Sequence, residues 1–418
     1  MRCAPPDLRR NGNVQPDIPK VNQAESNLPL QGLTAIDLTV NVPGPFCSSI
    51  LSDLGARVIK VEPPNGDPLR PSPAMWASLN RGKQSIALDL KTDGGREVLH
   101  RLASKANVVL EGWRPGVAKR LAADYETLIG DSRGLVYCAI SGFGQDGPWA
   151  DRPAHDVDFL ALAGYLDAQS QIEGRPWAPP VLISDLASAH YAAIAVLAAL
   201  VQRASTGRGS YIDLSMADST LALLAPEVGR VGTDEAAPVD AHEAAGKPNV
   251  TFIPHYGVFQ CADDRWFSLG IVDEDHFWRR YCKAAGLGDL AGLTYAERVE
   301  GGTAITEAVA EAFMTRPATE WESILREADV PAAPVTALAD LIDSPQFRAR
   351  GMFPEIGASR FLAQPFKISG ESIRPTRGAP GLGEHADALL AEHGYDAAEV
   401  GDLRRSGALG QADPGVAG

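Results

Sequence analysis

The sequence predicts an α/β fold: a large domain with a doubly wound, Rossmann-like parallel sheet, and a smaller α+β domain. Two observations predict the large domain. Runs of β-forming residues alternate with amphipathic helical stretches, and the joints between them are short and rich in Gly and Pro. A third predicts the small domain, because paired strands followed by helices replace this alternation after residue 225. A chain of 418 residues is long enough for two domains.

The first elements form a βαβ unit. Residues 33–40 (LTAIDLTV) are β-formers that end at a Pro-Gly-Pro turn. Residues 46–54 continue with apolar residues at helical spacing, and residues 57–61 (RVIKV) read as a second strand. A strand, a helix and a strand joined by short turns predict parallel pairing.

The same alternation continues to residue 140. Thr92 and Asp93 cap an amphipathic helix predicted at residues 94–106. The other elements predicted here are strands at 85–90, 107–110 and 135–140 and short helices at 116–122 and 125–130.

The second half contains a long apolar helix and then a separate module. The helix is predicted at residues 186–204, with a strand at 210–215 after it. Residues 226–248 show little periodicity and are predicted as a linker or mobile loop. The module has predicted strands at 256–260 and 266–269 and predicted helices at 274–285, 303–314 and 318–328.

These elements divide the chain into five segments. They are a disordered extension (1–29), a large α/β part (30–225), a small α+β module with its linker (226–330), a part in which helix and strand signals return (331–405) and a flexible tail (406–418).

Composition excludes several classes of partner and compartment. The net charge of −15 and the lack of a Lys/Arg cluster argue against nucleic acid. Five scattered cysteines without a C-x-x-C pair predict reduced thiols in a cytoplasmic protein and no structural metal site. The N-terminal segment lacks the apolar core of a secretory signal, and the apolar window 186–201 is short for a membrane span, so no membrane partner is expected.

One Gly-rich motif resembles a dinucleotide-binding fingerprint without its context. Gly142, Gly144 and Gly147 match G-x-G-x-x-G after a predicted strand. A dinucleotide site also needs a helix that opens at this loop, but Pro148 and the segment WADRP follow instead. We therefore interpret the motif as a turn where the backbone passes close to a ligand or another segment.

Two ionisable features stand out around residues 141–189. The pair His155–Asp156 precedes an apolar stretch, and Asp185 stands at the start of the long helix. From position alone, Asp185 is typical of a helix cap, and a single His is more often structural than catalytic.

Five motifs point further, and through them the chain resembles the class III CoA-transferase family (CaiB/BaiF), which includes the α-methylacyl-CoA racemases. The resemblance extends from about residue 30 to about residue 403. The motifs are SDLGARVIKVEPPNGDPLR (52–70), LNRGKQSIALDLK (79–91), VVLEGWRPGVAKRL (108–121), LVYCAISGFGQDGP (135–148) and STGRGSYIDLSMAD (205–218).

The resemblance implies a large domain built from both chain ends, so that residues 331–405 return to it, with the small domain between them. It also implies an interlocked homodimer that binds CoA at the large domain. The positions that match the family's CoA contacts are Val42, Leu88, Lys91, Gly112, Trp113 and Arg120. Lys91 and Arg120 would neutralise phosphates, and Trp113 would lie along the adenine. Pro63 stands where some members carry Arg, so one phosphate contact is expected to be missing.

The resemblance also implies two possible chemistries at Asp185. In the transferases this position is the nucleophile that forms a mixed anhydride with the acyl group and then an aspartyl-CoA thioester, and CoA passes to an acceptor acid. In the racemases it exchanges a proton at Cα of a 2-methylacyl-CoA, with the position of His155 on the opposite face. Asp156 is then expected to orient the loop or the helix that follows it.

Departures from both patterns keep the alternatives open. His155 is racemase-like, since many transferases have Tyr there, but ISDLASAH lacks the glycines that follow the racemase Asp. The racemase Glu after the small-domain strand has no direct counterpart, so Asp273 or Glu274 would have to replace it. We expect CoA transfer between carboxylic acids first, Cα proton transfer second, and a non-catalytic acyl-CoA-binding member third.

Overall fold

The computed structural model describes residues 28–130, 133–229 and 253–411. The larger parts of the predicted N-terminal extension, the 226–248 linker and the C-terminal tail lie outside these ranges.

A six-stranded parallel sheet is the main architectural element, which confirms the predicted α/β class. Its order is β3-β2-β1-β4-β5-β6. The strands β1 and β2 pair in parallel from Thr34 opposite Arg57, and β5 and β6 pair from Val136 opposite Ser210. The six strands are β1 (Thr34–Asp37), β2 (Arg57–Glu62), β3 (Gln84–Ala87), β4 (Val108–Glu111), β5 (Val136–Ser141) and β6 (Ser210–Ser215).

Helices connect these strands, as parallel pairing requires. The cap of α3 follows the prediction, since the side chain of Thr92 accepts a hydrogen bond from the Gly95 amide at 3.1 Å. The helices of this part are α1 (Pro43–Asp53), α2 (Pro73–Asn80), α3 (Asp93–Ala103), α4 (Val117–Arg120), α5 (Tyr125–Ile129), α6 (Asp156–Leu162), α7 (Tyr165–Glu173), α8 (Ile183–Thr206), α9 (Met216–Ala222) and α10 (Ala225–Val228).

A second sheet and its helices follow residue 253. The sheet is antiparallel, with the order β7-β8-β9 and Tyr256 opposite Gly270. It shares an aromatic core with its helices, including Trp278, Phe313 and Trp321, all fully buried. The elements are β7 (Tyr256–Gln260), β8 (Trp266–Gly270), α11 (Asp275–Ala285), α12 (Tyr295–Glu300), α13 (Gly302–Phe313), α14 (Ala318–Glu327) and β9 (Ala332–Pro334).

The remaining C-terminal elements are short. Two hairpins precede two helices, and a bridge joins Leu88 to Leu409. The elements are α15 (Pro345–Ala349), β10 (Glu355–Ile356), β11 (Ser359–Arg360), β12 (Lys367–Ile368), β13 (Glu371–Ser372), α16 (Ala386–Glu392) and α17 (Ala397–Arg405).

The chain divides into two compact units. The first comprises residues 1–38, 45–109 and 348–418, and the second comprises 39–44 and 110–347. The predicted boundaries at 225 and 330 both lie inside the second unit, and the domain division that they describe stays a prediction.

Several helices differ from the sequence-based expectation. Helices α2, α7, α9, α10 and α12 were not predicted, and α8 begins at Ile183 instead of Leu186. By length and composition α8 is the one helix among the described residues that could cross a membrane, with a mean hydropathy of 1.5. It packs against β5, β6, α6 and α9 and buries part of its apolar surface there.

Candidate active site

The candidate site is built around Asp185 in the first turn of α8. Leu182 is the N-cap residue, so Asp185 is the third residue of the helix and is not its cap. The start of α8 is tied to α9, because the Thr220 hydroxyl donates a hydrogen bond to the Ser184 hydroxyl at 2.7 Å. Among the described residues, the Asp185 carboxylate accepts no hydrogen bond. A capping role therefore does not account for this side chain.

Asp156, the first residue of α6, supplies the capping contact. Its Oδ1 accepts a hydrogen bond from the Asp185 amide at 3.1 Å, across 29 positions in sequence. The Asp158 carboxylate in turn accepts a hydrogen bond from the His155 amide at 2.9 Å, and this fixes the first turn of α6. Helices α6 and α8 are packed together, so His155, Asp156 and Asp185 belong to one cluster.

The environment of Asp185 disfavours its charged form. The pKa of its carboxyl is raised to about 6, chiefly by partial burial and also by the negative charge of Asp156, while His155 acts in the opposite direction. The N-terminus of a 24-residue helix favours an anion. The result is a carboxylate that is mostly ionised at neutral pH without a hydrogen-bonding partner among the described residues, a state suited to nucleophilic or acid–base chemistry.

The sheet order creates a second feature at the carboxyl ends of the strands. The connections from β1 and β4 leave in opposite directions, which is the switch point where open α/β sheets bind ligands. A Cβ atom at Gly112 would lie 3.5 Å from the Thr39 side chain, so the loops after these two strands touch. Val42, Gly112 and Trp113 therefore belong to loops that meet at the switch point.

Glu111, at the end of β4, holds the second of these loops. Its Oε2 accepts a hydrogen bond from the Trp113 amide at 2.8 Å. The pKa of the Glu111 carboxyl is raised to about 7, chiefly by burial; the hydrogen bond from the Trp113 amide lowers it, and the charge of Asp213 adds to the rise. We did not identify Glu111 from the sequence. Its position between a buried strand and a Gly-Trp pair is the signal that could have revealed it.

The other predicted CoA-binding residues differ in accessibility. Lys91 and Arg120 are exposed, as phosphate ligands need to be, and Trp113 is partly exposed. Leu88 is buried, and its amide donates a hydrogen bond to the Glu62 carbonyl at 2.8 Å. Leu88 therefore has almost no exposed surface, and its amide is not available to a ligand. Leu88 and Lys91 belong to the first unit, and the other four positions belong to the second.

Asp273 lies on an exposed loop between β8 and α11, and no contact joins it to His155 or Asp185 among the described residues. Arg298, fully buried, holds the backbone beside it. The Arg298 guanidinium donates hydrogen bonds to the Val272 carbonyl at 3.2 Å and to the Asp275 carboxylate at 2.7 Å. Glu274 Oε2 accepts a hydrogen bond from the Val272 amide at 2.9 Å, so its carboxylate stabilises the loop that carries it.

Clusters of metal-binding side chains are absent from the described part of the chain, where no three His, Cys, Asp or Glu residues form a group that could hold an ion. The four described cysteines, Cys47, Cys138, Cys261 and Cys282, are all buried, and none of them forms a disulfide.

Comparison with known proteins relates this site to acyl-CoA enzymes. The family description "CoA-transferase family III" matches residues 30–386. The chain is 35% identical to an acetyl-CoA:oxalate CoA-transferase of Acetobacter aceti, over 87% of this chain and 95% of that protein. It is 30% identical to the human alpha-methylacyl-CoA racemase, over 90% of this chain and 96% of that protein.

A solved structure extends the likeness to the fold. The crystal structure of a CAIB/BAIF family protein from Brucella suis matches with a TM-score of 0.78 and 31% identity, covering 88% of this chain and all of that one. The family match and these relatives extend over most of the chain, and the named relatives are enzymes. The chain therefore belongs to CoA-transferase family III (CaiB/BaiF) and is an enzyme of that family.

Proposed function

We propose that this enzyme transfers CoA between two carboxylic acids, with Asp185 as the nucleophile. The observation that carries the proposal is the Asp185 carboxylate in the first turn of α8, partly buried and with no hydrogen bond among the described residues. Relatives named as CoA-transferases support the same reaction class.

The reaction proceeds by two exchanges at this carboxylate. An Asp185 oxygen attacks the acyl-CoA carbonyl, the C–S bond breaks, and a mixed anhydride and the CoA thiolate form. The thiolate then attacks the aspartyl carbonyl, which releases the donor acid and leaves an aspartyl-CoA thioester. The acceptor carboxylate attacks this thioester to give a second anhydride. The returning thiolate takes the acceptor acyl group and frees Asp185.

The geometry around Asp185 suits this cycle. Asp156 binds the Asp185 amide and leaves the carboxylate oxygens available to the substrate. With a pKa of about 6, the Asp185 carboxyl is mostly ionised at pH 7. Its elevated pKa also makes it more basic, and so more nucleophilic, than a solvated aspartate.

For the CoA portion, we propose that the loops carrying Val42, Gly112 and Trp113 receive the nucleotide at the switch point. Lys91 and Arg120 supply the positive charge that phosphates require. The overall net charge of −15 makes such local cations more important, because the rest of the surface repels a polyanion.

Trapping of the acyl-enzyme tests the proposed nucleophile. Incubation with an acyl-CoA and then hydroxylamine should convert the activated Asp185 to a hydroxamate, which peptide mass spectrometry locates. The Asp185→Asn variant should give no adduct, whereas Asp289→Asn, which changes an exposed aspartate on a distant turn, should react like the parent enzyme. Failure to trap any adduct across a panel of acyl-CoA donors would contradict the mechanism.

A second candidate function is Cα proton transfer with His155 and Asp185 as the two proton-exchanging groups. It is favoured by one observation, the exposed His155 side chain close enough to influence the pKa of Asp185. A 2-methylacyl-CoA incubated in D₂O should then acquire deuterium at Cα, and His155→Ala should stop the exchange. If neither exchange nor an adduct occurs but CoA still raises the melting temperature, the chain is a non-catalytic acyl-CoA binder.

We further propose that the enzyme is a cytoplasmic homodimer. Helix α8 presents an exposed apolar stripe at helical spacing, formed by Tyr191, Ile194 (60% exposed) and Val201 (74% exposed). A second copy would cover this stripe, in line with the interlocked dimer that the family resemblance implies. The buried cysteines, none of which forms a disulfide among the described residues, are in keeping with a reducing compartment.

Light scattering tests the assembly. The parent enzyme should have the mass of two chains, and Ile194→Glu with Val201→Glu should lower that mass or the solubility, because the pair places two charges in an apolar contact. A Lys119→Glu variant changes the charge of an exposed residue away from α8 and should leave the mass unchanged. A monomeric parent enzyme at micromolar concentration would exclude the homodimer.

A further inference from the structure

The proposed function does not use the Gly-rich motif after β5 to bind a dinucleotide. The backbone of this motif is nevertheless held in a defined position by hydrogen bonds. No helix opens at this loop, in agreement with the sequence-based interpretation. The Gly142 carbonyl accepts a hydrogen bond from the Ala217 amide at 3.0 Å, and the Gln145 amide donates to both oxygens of Asp213 at 3.0 and 3.1 Å. The 141–145 loop is therefore anchored to β6 and α9.

The same loop presses on α6 through one ring. A Cβ atom at Gly142 would lie 3.1 Å from Cζ and 3.2 Å from Cε1 of Phe159, a closer approach than a side chain normally makes. The ring centroid of Phe143 lies 5.3 Å from that of Phe159 and 5.6 Å from that of Trp149. Phe159 is buried. The loop and α6 thus meet at a close-packed aromatic contact, in which a side chain at position 142 would have to displace the Phe159 ring.

Phe159 lies one turn beyond the residues that contact the nucleophile. Asp156, three positions earlier on α6, binds the Asp185 amide, and His155 immediately precedes the helix. Because α6 has only seven residues, Phe159 and Asp156 lie one turn apart on the same short helix. The Phe159 ring therefore belongs to the element that carries Asp156 and begins directly after His155.

We propose that the 141–145 loop positions α6, and through it His155 and Asp156, against Asp185. Gly142 and Phe159 are positioning residues for the reaction and do not touch the substrate. This inference rests on the proposed function, because it gives the α6–α8 contact a catalytic purpose. It also gives the first glycine of the motif a role in helix packing, where the dinucleotide fingerprint would have used it for the tight turn after the strand.

Gly142→Ala tests the inference, because Gly142 does not have a positive φ and its replacement introduces only the steric contact. The methyl group forces Phe159 back by a few tenths of an ångström. We expect kcat to fall by about three- to tenfold, since misplacement by about 1 Å costs about 100-fold. The KM for the acyl-CoA should stay unchanged. Gly288→Ala, whose new methyl group meets no atom within 4 Å, is the matched control.

A compensating substitution separates positioning from a general loss of stability. Leu at position 159 lacks the two ring carbons that the methyl group meets, so Gly142→Ala with Phe159→Leu should recover most of the kcat lost by Gly142→Ala alone. Equal kcat in Gly142→Ala and the parent enzyme would overturn the inference. So would losses of kcat that multiply in the double variant, or a fall in kcat accounted for by a fall in melting temperature.

The inference and the proposed function can fail separately. The kcat is measured for whichever reaction depends on Asp185, as judged by its loss in Asp185→Asn. If that reaction is Cα deuterium exchange, the proposed CoA transfer is wrong, while a rescued Gly142→Ala defect still supports the positioning role. If CoA transfer is found but Gly142→Ala has no effect on it, the proposed function stands and the positioning role fails.

Discussion

Two buried carboxylates in this molecule have opposite surroundings. Asp37, at the end of β1, is fully buried, accepts a hydrogen bond from the Ser48 hydroxyl at 2.6 Å, and pairs with the Lys83 ammonium at 3.0 Å. Asp185 is partly buried, accepts no hydrogen bond on its carboxylate among the described residues, and faces the carboxylate of Asp156.

The difference separates a structural charge from a reactive one. Lys83 also donates hydrogen bonds to the Pro45 carbonyl at 2.9 Å and to the Asn80 side chain at 2.8 Å. The charge of Asp37 is therefore part of a network that joins β1, α1 and α2. Asp185 has no such network and retains the lone pairs that a reaction needs. A buried carboxylate with hydrogen-bonding partners stabilises the fold, whereas a partly buried carboxylate without them remains available for reaction.

Removal of the reactive carboxylate should give the largest change. Asp185→Asn should lower kcat/KM by about 10³-fold or more, because the amide is a poor nucleophile and a poor base. The melting temperature should stay equal or rise, since a like-charge contact with Asp156 is lost. Steady-state kinetics and differential scanning calorimetry measure the two. A variant that unfolds would show that Asp185, like Asp37, has a structural role.

Removal of the structural cation should act on stability instead. Lys83→Met leaves Asp37 with one fewer cation and frees two hydrogen-bond acceptors, so we expect a loss of about 3 kcal/mol in the free energy of unfolding. Urea denaturation at pH 7 measures it. Lys91→Met is the matched control, because Lys91 is exposed and its removal should change the stability by less than about 0.5 kcal/mol.

The pH dependence distinguishes the catalytic role of Asp185 from a structural one, because activity and stability should change in opposite directions as its carboxyl ionises. Activity requires the ionised form and should rise as the pH passes through about 6. The native pKa exceeds the unfolded value of 3.8, so the native state binds more protons between these values. The contribution of Asp185 to stability therefore falls as the pH rises from about 4 to 6, by at most about 3 kcal/mol before solvent screening reduces it.

Parallel pH–rate profiles and urea denaturation of the parent enzyme and Asp185→Asn measure these two trends. If the stability of both proteins has the same pH dependence, the pKa of the Asp185 carboxyl is not raised, and its surroundings do not distinguish it from an ordinary aspartate.

The smallest expected effect is on CoA binding. Lys91→Met should weaken CoA binding by about fivefold at low salt, since an exposed ion pair contributes at most about 1 kcal/mol. The loss should shrink as salt is added. Isothermal titration calorimetry at two ionic strengths measures both quantities. Equal affinities in the two proteins would remove Lys91 from the proposed CoA site.

Local patterns predicted most of the strands and helices, because their causes are local. The alternation of β-formers and amphipathic stretches gave the parallel sheet, and Thr92 marked the start of α3 correctly. The missed helix α2 begins at Pro73. We predicted no element there, although Pro is favoured in the first turn of a helix.

The site depended on contacts between distant segments. Ser184 and Asp185 resemble a cap in sequence, so the helix was expected to begin after them. The cap is supplied instead by Asp156, which is 29 positions away, and a single sequence does not reveal such a pairing. Lys60 and Lys83 were likewise unforeseen as buried residues, because their carboxylate partners lie on other elements.

The loop that carries Asp273 has a consequence for redesign of the enzyme. The Arg298 guanidinium donates hydrogen bonds to the Val272 carbonyl and the Asp275 carboxylate on either side of this position, while Asp273 itself is exposed. Almost any residue can therefore be installed at position 273 without disturbing the chain around it. Differences in activity among variants at this position would then measure the effect of the side chain alone.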